Sequence, residues 1–374
     1  MQNRQHNEFM ARAIQLAKKG QYTTHPNPRV GCVIVKNNQI IAEGYHERAG
    51  EGHAEVNALA NAGIEAKGAT AYVTLEPCSH FGRTPPCANA LIDAGVRSVV
   101  IAMQDPNPTV SGTGVERLKQ SGIDVVTGIL EDEARAINPG FIQRMERQRP
   151  FVRVKMATSL DGRTALATGE SQWITSQPAR HDVQFWRAKS DAILTGISTV
   201  LADNPSLNVR LSADELTIKQ PVRQPLRVIL DSKLQCPPDT KLLGLAGKTL
   251  IYTLSSNITT IRRLESVGAE VVSLEGDATN LLPLEKVMAD LAAREINEVH
   301  TEAGAILCGS LLQAQLCDEL LLYLAPHLLG SDSLGAFHLP MLQKMQDRID
   351  LKIEDIRAIG ADWRIIASLT QSQV

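Results

Sequence analysis

At 374 residues, with 43% apolar and 21% charged side chains and a formal net charge of −3, the chain has the composition of an ordinary soluble protein and more length than one average domain needs. That balance excludes a disordered or membrane-bound chain, and the scattered Lys and Arg form no basic stripe that would draw in nucleic acid. The polar residues 1–9 lack the apolar core of a signal peptide and no run reaches the roughly 18 to 20 apolar residues that span a bilayer. The expectation is a cytoplasmic protein with neither nucleic acid nor membrane as partner.

Helical spacing of Phe9, Met10, Ala13, Ile14, Leu16 and Ala17 predicts a helix over 7–19, stopped at Gly20. Two apolar runs, 30–35 and 39–45, flank Lys36, Asn37 and Asn38 and read as a hairpin with a short polar turn. Helix and strand then alternate: helix 53–62, strand 69–75, helix 87–94, strand 96–103, a further helix and strand around 115–129, and a helix over 131–137. Strands separated by helices predict a mostly parallel sheet covered on both faces. At Gln148, Arg149 and Pro150 a new apolar strand, 151–157, begins, and the domain boundary is placed there. Beyond it strands are expected at 192–195, 226–231, 249–254, 298–302 and 319–325, with helices at 282–294 and 305–315. The prolines of 221–225 and 236–239 mark loops, since they would remove ladder donors from a strand.

Six cysteines in so long a chain make no disulfide framework, and a clustered pair in a reducing compartment points to metal binding or catalysis. Cys78 and Cys87 are such a pair, and His53-Ala54-Glu55 lies upstream. One imidazole and two thiolates supply three zinc ligands and leave the fourth tetrahedral position to water, as a catalytic site requires. Zinc brings the pKa of its water near 7, so an amidine-like ring carbon can be attacked at neutral pH, and Glu55 is the expected proton carrier to the departing ammonia. Residues two apart on a regular helix point to different sides, so His53 must stand at the helix start, where Gly50 and Gly52 permit the turn. Cys87 likewise opens a helix behind Pro85 and Pro86, a position that favours its thiolate. A lone buried cysteine is by default a small hydrophobe. The whole set instead matches the His-x-Glu and Pro-Cys deaminase signature, except that eight residues separate the cysteines where that signature has two.

The run from Thr74 through Leu75, Glu76, Pro77, Cys78, Ser79, His80, Phe81, Gly82, Arg83, Thr84, Pro85 and Pro86 to Cys87, with Thr24-His25-Pro26-Asn27-Pro28 upstream, closely resembles the RibD family of bifunctional riboflavin-biosynthesis proteins. The likeness spans nearly the whole chain. It implies an α/β protein with a cytidine-deaminase-like three-layer α/β/α domain over 1–147 and a dihydrofolate-reductase-like α/β domain over 151–374. It also implies one zinc per chain, NADPH, a small pyrimidine ribosyl phosphate as substrate and a homo-oligomer. The first domain would remove the 2-amino group, with Asn27, His46, His80 and Arg83 lining the pyrimidine and phosphate pocket.

Residues 151–374 carry no Gly-x-Gly-x-x-Gly, and Gly247-Lys248-Thr249 is a decoy for a phosphate loop, because Leu242 stands where the earlier glycine belongs and a strand follows. Glu302-Ala303-Gly304 ends a strand and opens a helix whose free N–H groups could hold phosphate. The same resemblance implies cofactor contacts from Ala157, Trp173, Thr199, Asp203, Ser232, Gly304, Ala305, Ile306, Leu307, Cys308, Gly309 and Ser310. It implies substrate contacts from Ser171, Arg187, Leu207, Arg210 and Glu302, with arginine suited to meeting phosphate oxygens in pairs. Asn204 and Asn208 depart from the family pattern, where an aspartate and a threonine are usual. The implied chemistry is hydride transfer from NADPH to ribose C1′, with Lys155 and Asp203 as possible charge partners. Two other readings of the first domain fit less of the sequence. A deaminase of nucleobases in RNA or DNA needs a basic face and leaves 151–374 unexplained, and a non-catalytic zinc sensor has no use for Glu55.

Overall fold

The computed structural model describes residues 2–79, 86–108, 110–219, 221–276 and 280–370, which form two compact units, Met1–Arg149 and Pro150–Val374. In the first, α1 (Gln2–Ala17) leads to the hairpin β1 (Gly31–Lys36) and β2 (Gln39–Tyr45), then α2 (Ala54–Ala62), β3 (Thr70–Leu75), α3 (Cys87–Asp93), β4 (Ser98–Met103), α4 (Thr113–Gln120), β5 (Asp124–Thr127), α5 (Glu131–Ala136) and α6 (Pro139–Arg147). The five strands run in the order β2-β1-β3-β4-β5. Asn37 and Asn38 both take positive φ, 51° and 61°, the turn that asparagine tolerates and that suits a two-residue hairpin. The sheet is mixed rather than mostly parallel, because β1 pairs antiparallel with both β2 and β3 while β3, β4 and β5 run parallel.

Two glycines seat the helices on this sheet. A Cβ at Gly31 would lie 2.0 Å from the Ala13 carbonyl of α1, and one at Gly44 would lie 2.4 Å from the Ala58 nitrogen of α2. Gly44 pairs with Cys32, the neighbour of Gly31, so the two glycines face opposite sides and α1 and α2 cover opposite faces. This is the three-layer arrangement, and Val33, Ile34, Val73 and Ile101 are fully buried in its core.

The second unit holds β6 (Phe151–Ser159), β7 (Arg163–Ala165), α7 (Gln177–Lys189), β8 (Ala192–Gly196), α8 (Ile197–Asp203), β9 (Leu226–Leu230), β10 (Thr249–Thr253), α9 (Ile258–Glu265), β11 (Ala269–Ser273), α10 (Leu284–Ala293), β12 (Glu298–Glu302), α11 (Ala305–Gln313), β13 (Glu319–Ala325), β14 (Leu334–Gly335), β15 (Leu351–Ile359) and β16 (Asp362–Leu369). Nine of these strands form one sheet, β11-β10-β9-β8-β12-β6-β13-β16-β15. It is parallel from β11 to β13, and β16 and β15 close it as an antiparallel hairpin. Val152, Val154, Leu194, Val228, Leu250 and Val299 are wholly buried on one face of this sheet, and Ile229 and Ile251 on the other, as in strands covered on both faces.

Candidate active sites

In the first unit the packing of α2 on Gly44 sets where its first turn begins. His53 is the N-cap of α2 with extended backbone, φ −71° and ψ 166°, so its ring leaves the helix direction and reaches the loop after β3. Cys78 lies in that loop and Cys87 at the first position of α3, behind the N-cap Pro86. His53 Nδ1 is 3.2 Å from Cys87 Sγ and 3.7 Å from Cys78 Sγ, and the three ligand atoms all lie within 4.8 Å of one another. Bonds of about 2.1 Å to nitrogen and 2.3 Å to sulfur put adjacent corners of a tetrahedron roughly 3.6 Å apart, so these donors fit a zinc ion as they stand.

Cys78 accepts hydrogen bonds from the Cys87 thiol, from His53 and, at 3.3 Å, from the Cys87 main-chain N–H, and these pull it well below the usual thiol range. The same hydrogen bond to Cys78, with burial, pushes Cys87 up. Glu55 is buried in the first turn of α2 and hydrogen-bonds the Cys87 thiol, and burial raises its carboxyl to about 7.

His46 and Asn27 are brought to the same place. The His46 ring meets that of His53 edge-on at 5.3 Å. Its Nδ1 lies 3.1 Å from the Gly52 carbonyl, which can only accept, so Nε2 accepts from the Asn27 amide at 3.1 Å. Burial lowers the His46 pKa and keeps this neutral tautomer. His80 and Arg83 lie outside the described residues. Sequence reading missed Asn57, whose amide ties the carbonyls of Tyr45 and Gly52 at 2.9 and 3.2 Å and thereby fixes the turn before His53. Its place four residues after His53, one turn along the same helix face, was the available signal. It also missed Glu76, buried directly after β3.

In the second unit most of the candidate residues fall at the carboxyl ends of the neighbouring parallel strands β9, β8, β12 and β6, where open α/β sheets hold their ligands. Ser232 follows β9, Thr199 and Asp203 lie on α8 behind β8, Glu302 ends β12, Gly304 caps α11 and Ala157 lies near the end of β6. Ala305, Ile306, Leu307, Cys308, Gly309 and Ser310 form the first turns of α11, with Ile306 72% exposed and Cys308 buried. Ser171 and Trp173 stand apart from that row, between β7 and α7, where the exposed Trp173 ring carries the Arg180 guanidinium at 4.4 Å.

Glu302 and Lys155 are register partners on adjacent strands. Arg187, from α7, grips Glu302 through Nε to Oε1 at 2.5 Å and Nη2 to Oε2 at 2.9 Å, and gives Nη1 to the Asn208 carbonyl at 2.9 Å. Burial alone would raise Glu302, but the charge and hydrogen bonds of Arg187 hold it well below the usual carboxylate range. Burial pushes the Lys155 ammonium down, opposed by Glu302. The strand period puts His300 on the same face as Glu302, a signal sequence reading passed over, and its Nε2 is 3.4 Å from Oε1. Leu207 is buried with a φ of 42°, next to Asn208. Arg210 lines an open cleft of about 220 Å³ with Gln177, Arg180, His181, Gln184 and Glu215. Its guanidinium is disfavoured by burial and by the nearby Arg187.

Residues 150–365 match the family model for the RibD C-terminal domain, and residues 3–103 match that for the cytidine and deoxycytidylate deaminase zinc-binding region. The riboflavin biosynthesis protein RibD of Escherichia coli K12 is 51% identical over 363 residues, covering 95% of this chain and 96% of that protein. The chain belongs to the RibD family. The Haemophilus influenzae RibD is 49% identical, covering 96% of this chain and 95% of that one. The solved structure of Acinetobacter baumannii RibD, 44% identical, superposes with a TM-score of 0.90 over 99% of this chain and 100% of that one. As in other RibD proteins, a zinc deaminase domain precedes an NADPH-dependent reductase domain, in a bifunctional enzyme of riboflavin biosynthesis. Among the described residues no helix is long and apolar enough to cross a membrane.

Proposed function

We propose that residues 1–147 hydrolyse the 2-amino group from 2,5-diamino-6-(5-phosphoribosylamino)pyrimidin-4(3H)-one. Residues 151–374 then reduce the ribosyl group with NADPH to give 5-amino-6-(5-phosphoribitylamino)uracil. The observation that carries the reading is the cluster of His53, Cys78 and Cys87 with Glu55 buried against it. A Thermotoga maritima relative of known structure, 34% identical with a TM-score of 0.84, is named for the matching deaminase and reductase.

His53, Cys78 and Cys87 would hold the zinc and leave one corner for water. When bound, the metal supplies Lewis acidity that makes water a nucleophile at neutral pH. Glu55 takes the proton of the attacking water and passes it to the leaving nitrogen, so one water is consumed and one ammonia released. Asn27 and the neutral His46, with His80 and Arg83, would orient the pyrimidine and its phosphate arm. In the second unit Arg187, Arg210, Ser171, Leu207 and Glu302 would hold the substrate, and Trp173, Ala157, Thr199, Asp203, Ser232 and the turn 304–310 the cofactor. NADPH, held there, would supply the hydride for C1′, and opening the C1′–O bond calls for a proton at the ring oxygen. Lys155, buried beside Glu302, or Asp203 would supply that proton.

We place the protein in the cytoplasm with a free small molecule rather than nucleic acid as substrate. The balanced charge supports this. We also assign it as a homo-oligomer, supported by the outermost strand β15, where Ile353 and Ile356 are 57% and 51% exposed. Glu55→Gln is the test. It should abolish ammonia release from the free pyrimidine nucleotide, leave zinc bound and leave NADPH oxidation with deaminated substrate intact. Turnover within about twofold of wild type would remove Glu55 from this role.

A further inference from the structure

The segment that carries Cys78 is fastened on both sides of the cysteine to the start of one helix. Glu76, at the end of β3, is buried, and its carboxylate accepts four main-chain N–H groups. Oε2 takes those of Asp105 at 3.2 Å and Gly112 at 2.9 Å, and Oε1 those of Gly114 at 2.9 Å and Val115 at 3.1 Å. Gly112, Gly114 and Val115 are the N-cap, second and third positions of α4, whose N–H groups have no partner within the helix. Beyond Cys78, Thr113 Oγ1 donates to the Val110 carbonyl, so Ser79 Oγ donates to Thr113 Oγ1 at 2.6 Å. Between these anchors the Pro77 carbonyl lies flat on α4, since a Cβ at Gly114 would stand 2.0 Å from it.

We infer that Glu76 is a positioning residue of the metal centre: by binding the first turn of α4 it holds Pro77 and Cys78 where Cys78 Sγ meets His53 and Cys87. The inference rests on the reading of His53, Cys78 and Cys87 as zinc ligands. A carboxylate suits the task because it only accepts and has room for four donors. A glutamine in its place would turn an NH2 group toward two N–H donors whichever way it flipped, and an aspartate is one methylene too short to reach both pairs.

A residue that merely capped α4 would lower the melting temperature and leave zinc exchange alone. The full chain carrying Glu76→Gln or Glu76→Asp is therefore compared with wild type well below its melting temperature. The readouts are zinc per chain, the rate of zinc transfer to a colorimetric chelator, deaminase kcat and KM, and reductase activity on deaminated substrate. We expect zinc to leave Glu76→Gln about 10- to 100-fold faster, as when the groups that orient metal ligands are lost. Deaminase kcat should fall by about tenfold or more with KM little changed, excess zinc should restore part of it, Glu76→Asp should lie between, and reductase activity should hold. If Glu76→Gln does not fold, Ser79→Ala, which removes only the outer anchor, should still speed zinc release by about two- to fivefold. Zinc release and kcat within about twofold of wild type in the folded variant overturn the inference while the ligand assignment stands. A wild-type chain that binds no zinc overturns both.

Discussion

In the N-terminal unit three ligand atoms and a buried carboxylate gather within a few ångströms at the starts of two helices, whereas in the C-terminal unit the candidate groups are strung along the carboxyl ends of four neighbouring strands. The first site is made by turns. His53 leaves α2 at its N-cap, Cys87 enters α3 at its first residue, and Cys78 hangs from a loop pinned by Glu76. The second is made by sheet register, which lays Lys155 beside Glu302, and by one helix that brings Arg187 onto them. Damage to the first site should therefore stay with the metal and its chemistry. Damage to the second should appear as a change in the stability of the unit as well as in turnover.

The largest expected effect tests the independence of the two. Stripping zinc with a chelator should reduce ammonia release to background and leave NADPH oxidation with deaminated substrate unchanged, and added zinc should restore the deaminase. Loss of both activities together would show that the second unit depends on the metal.

Arg187→Ala comes next. It leaves the Glu302 carboxylate buried without its guanidinium, a break that costs about 3–5 kcal/mol. All three tryptophans, Trp173, Trp186 and Trp363, lie in the second unit, so tryptophan fluorescence during urea unfolding reports on that unit alone. The midpoint should fall sharply and reductase activity with it, while the deaminase keeps its rate. An unchanged midpoint would mean that the pair contributes nothing to the fold.

The same pair sets a pH dependence. Arg187 holds Glu302 below its unfolded value, so the stabilisation is complete above the usual carboxylate pKa of about 4.3 and is lost as pH falls from there through the lower folded value. The advantage of wild type over Glu302→Gln in tryptophan-detected unfolding should thus be full at pH 7 and shrink below about pH 4.3. A gap that stays constant to lower pH would contradict the assignment of charge to this pair. Smallest is Trp173→Ala. With the ring 70% exposed, stability should move by no more than about 0.5 kcal/mol, while KM for NADPH rises about two- to tenfold at nearly constant kcat. An unchanged KM would take Trp173 out of the cofactor site.

The contrast between the sites also explains what could be read from sequence. The hairpin turn at Asn37 and Asn38, the helix start at His53 and the strands Glu298–Glu302 and Glu319–Ala325 were legible because each follows from residues close in the chain. The metal cluster was legible for a related reason: histidine and cysteine announce their chemistry by type. Helix α6 was passed over although Pro139 stands at its first position, a common helix start. The hairpin of β15 and β16 went unread because an irregularity between Ile353 and Asp355 breaks the period of two. The grip of Arg187 on Glu302 joins residues 115 positions apart, and nothing local to either marks the other. The hold of Glu76 on α4 is of the same kind, since its donors lie 29 to 39 positions away.

Zinc content and NADPH oxidation measured on one purified sample, supplied with the diamino phosphoribosylaminopyrimidine, test the central claim most directly. One zinc per chain, and NADPH oxidation that begins only after ammonia has been released, is the predicted result. Oxidation that proceeds at full rate in zinc-free protein without ammonia release would contradict it.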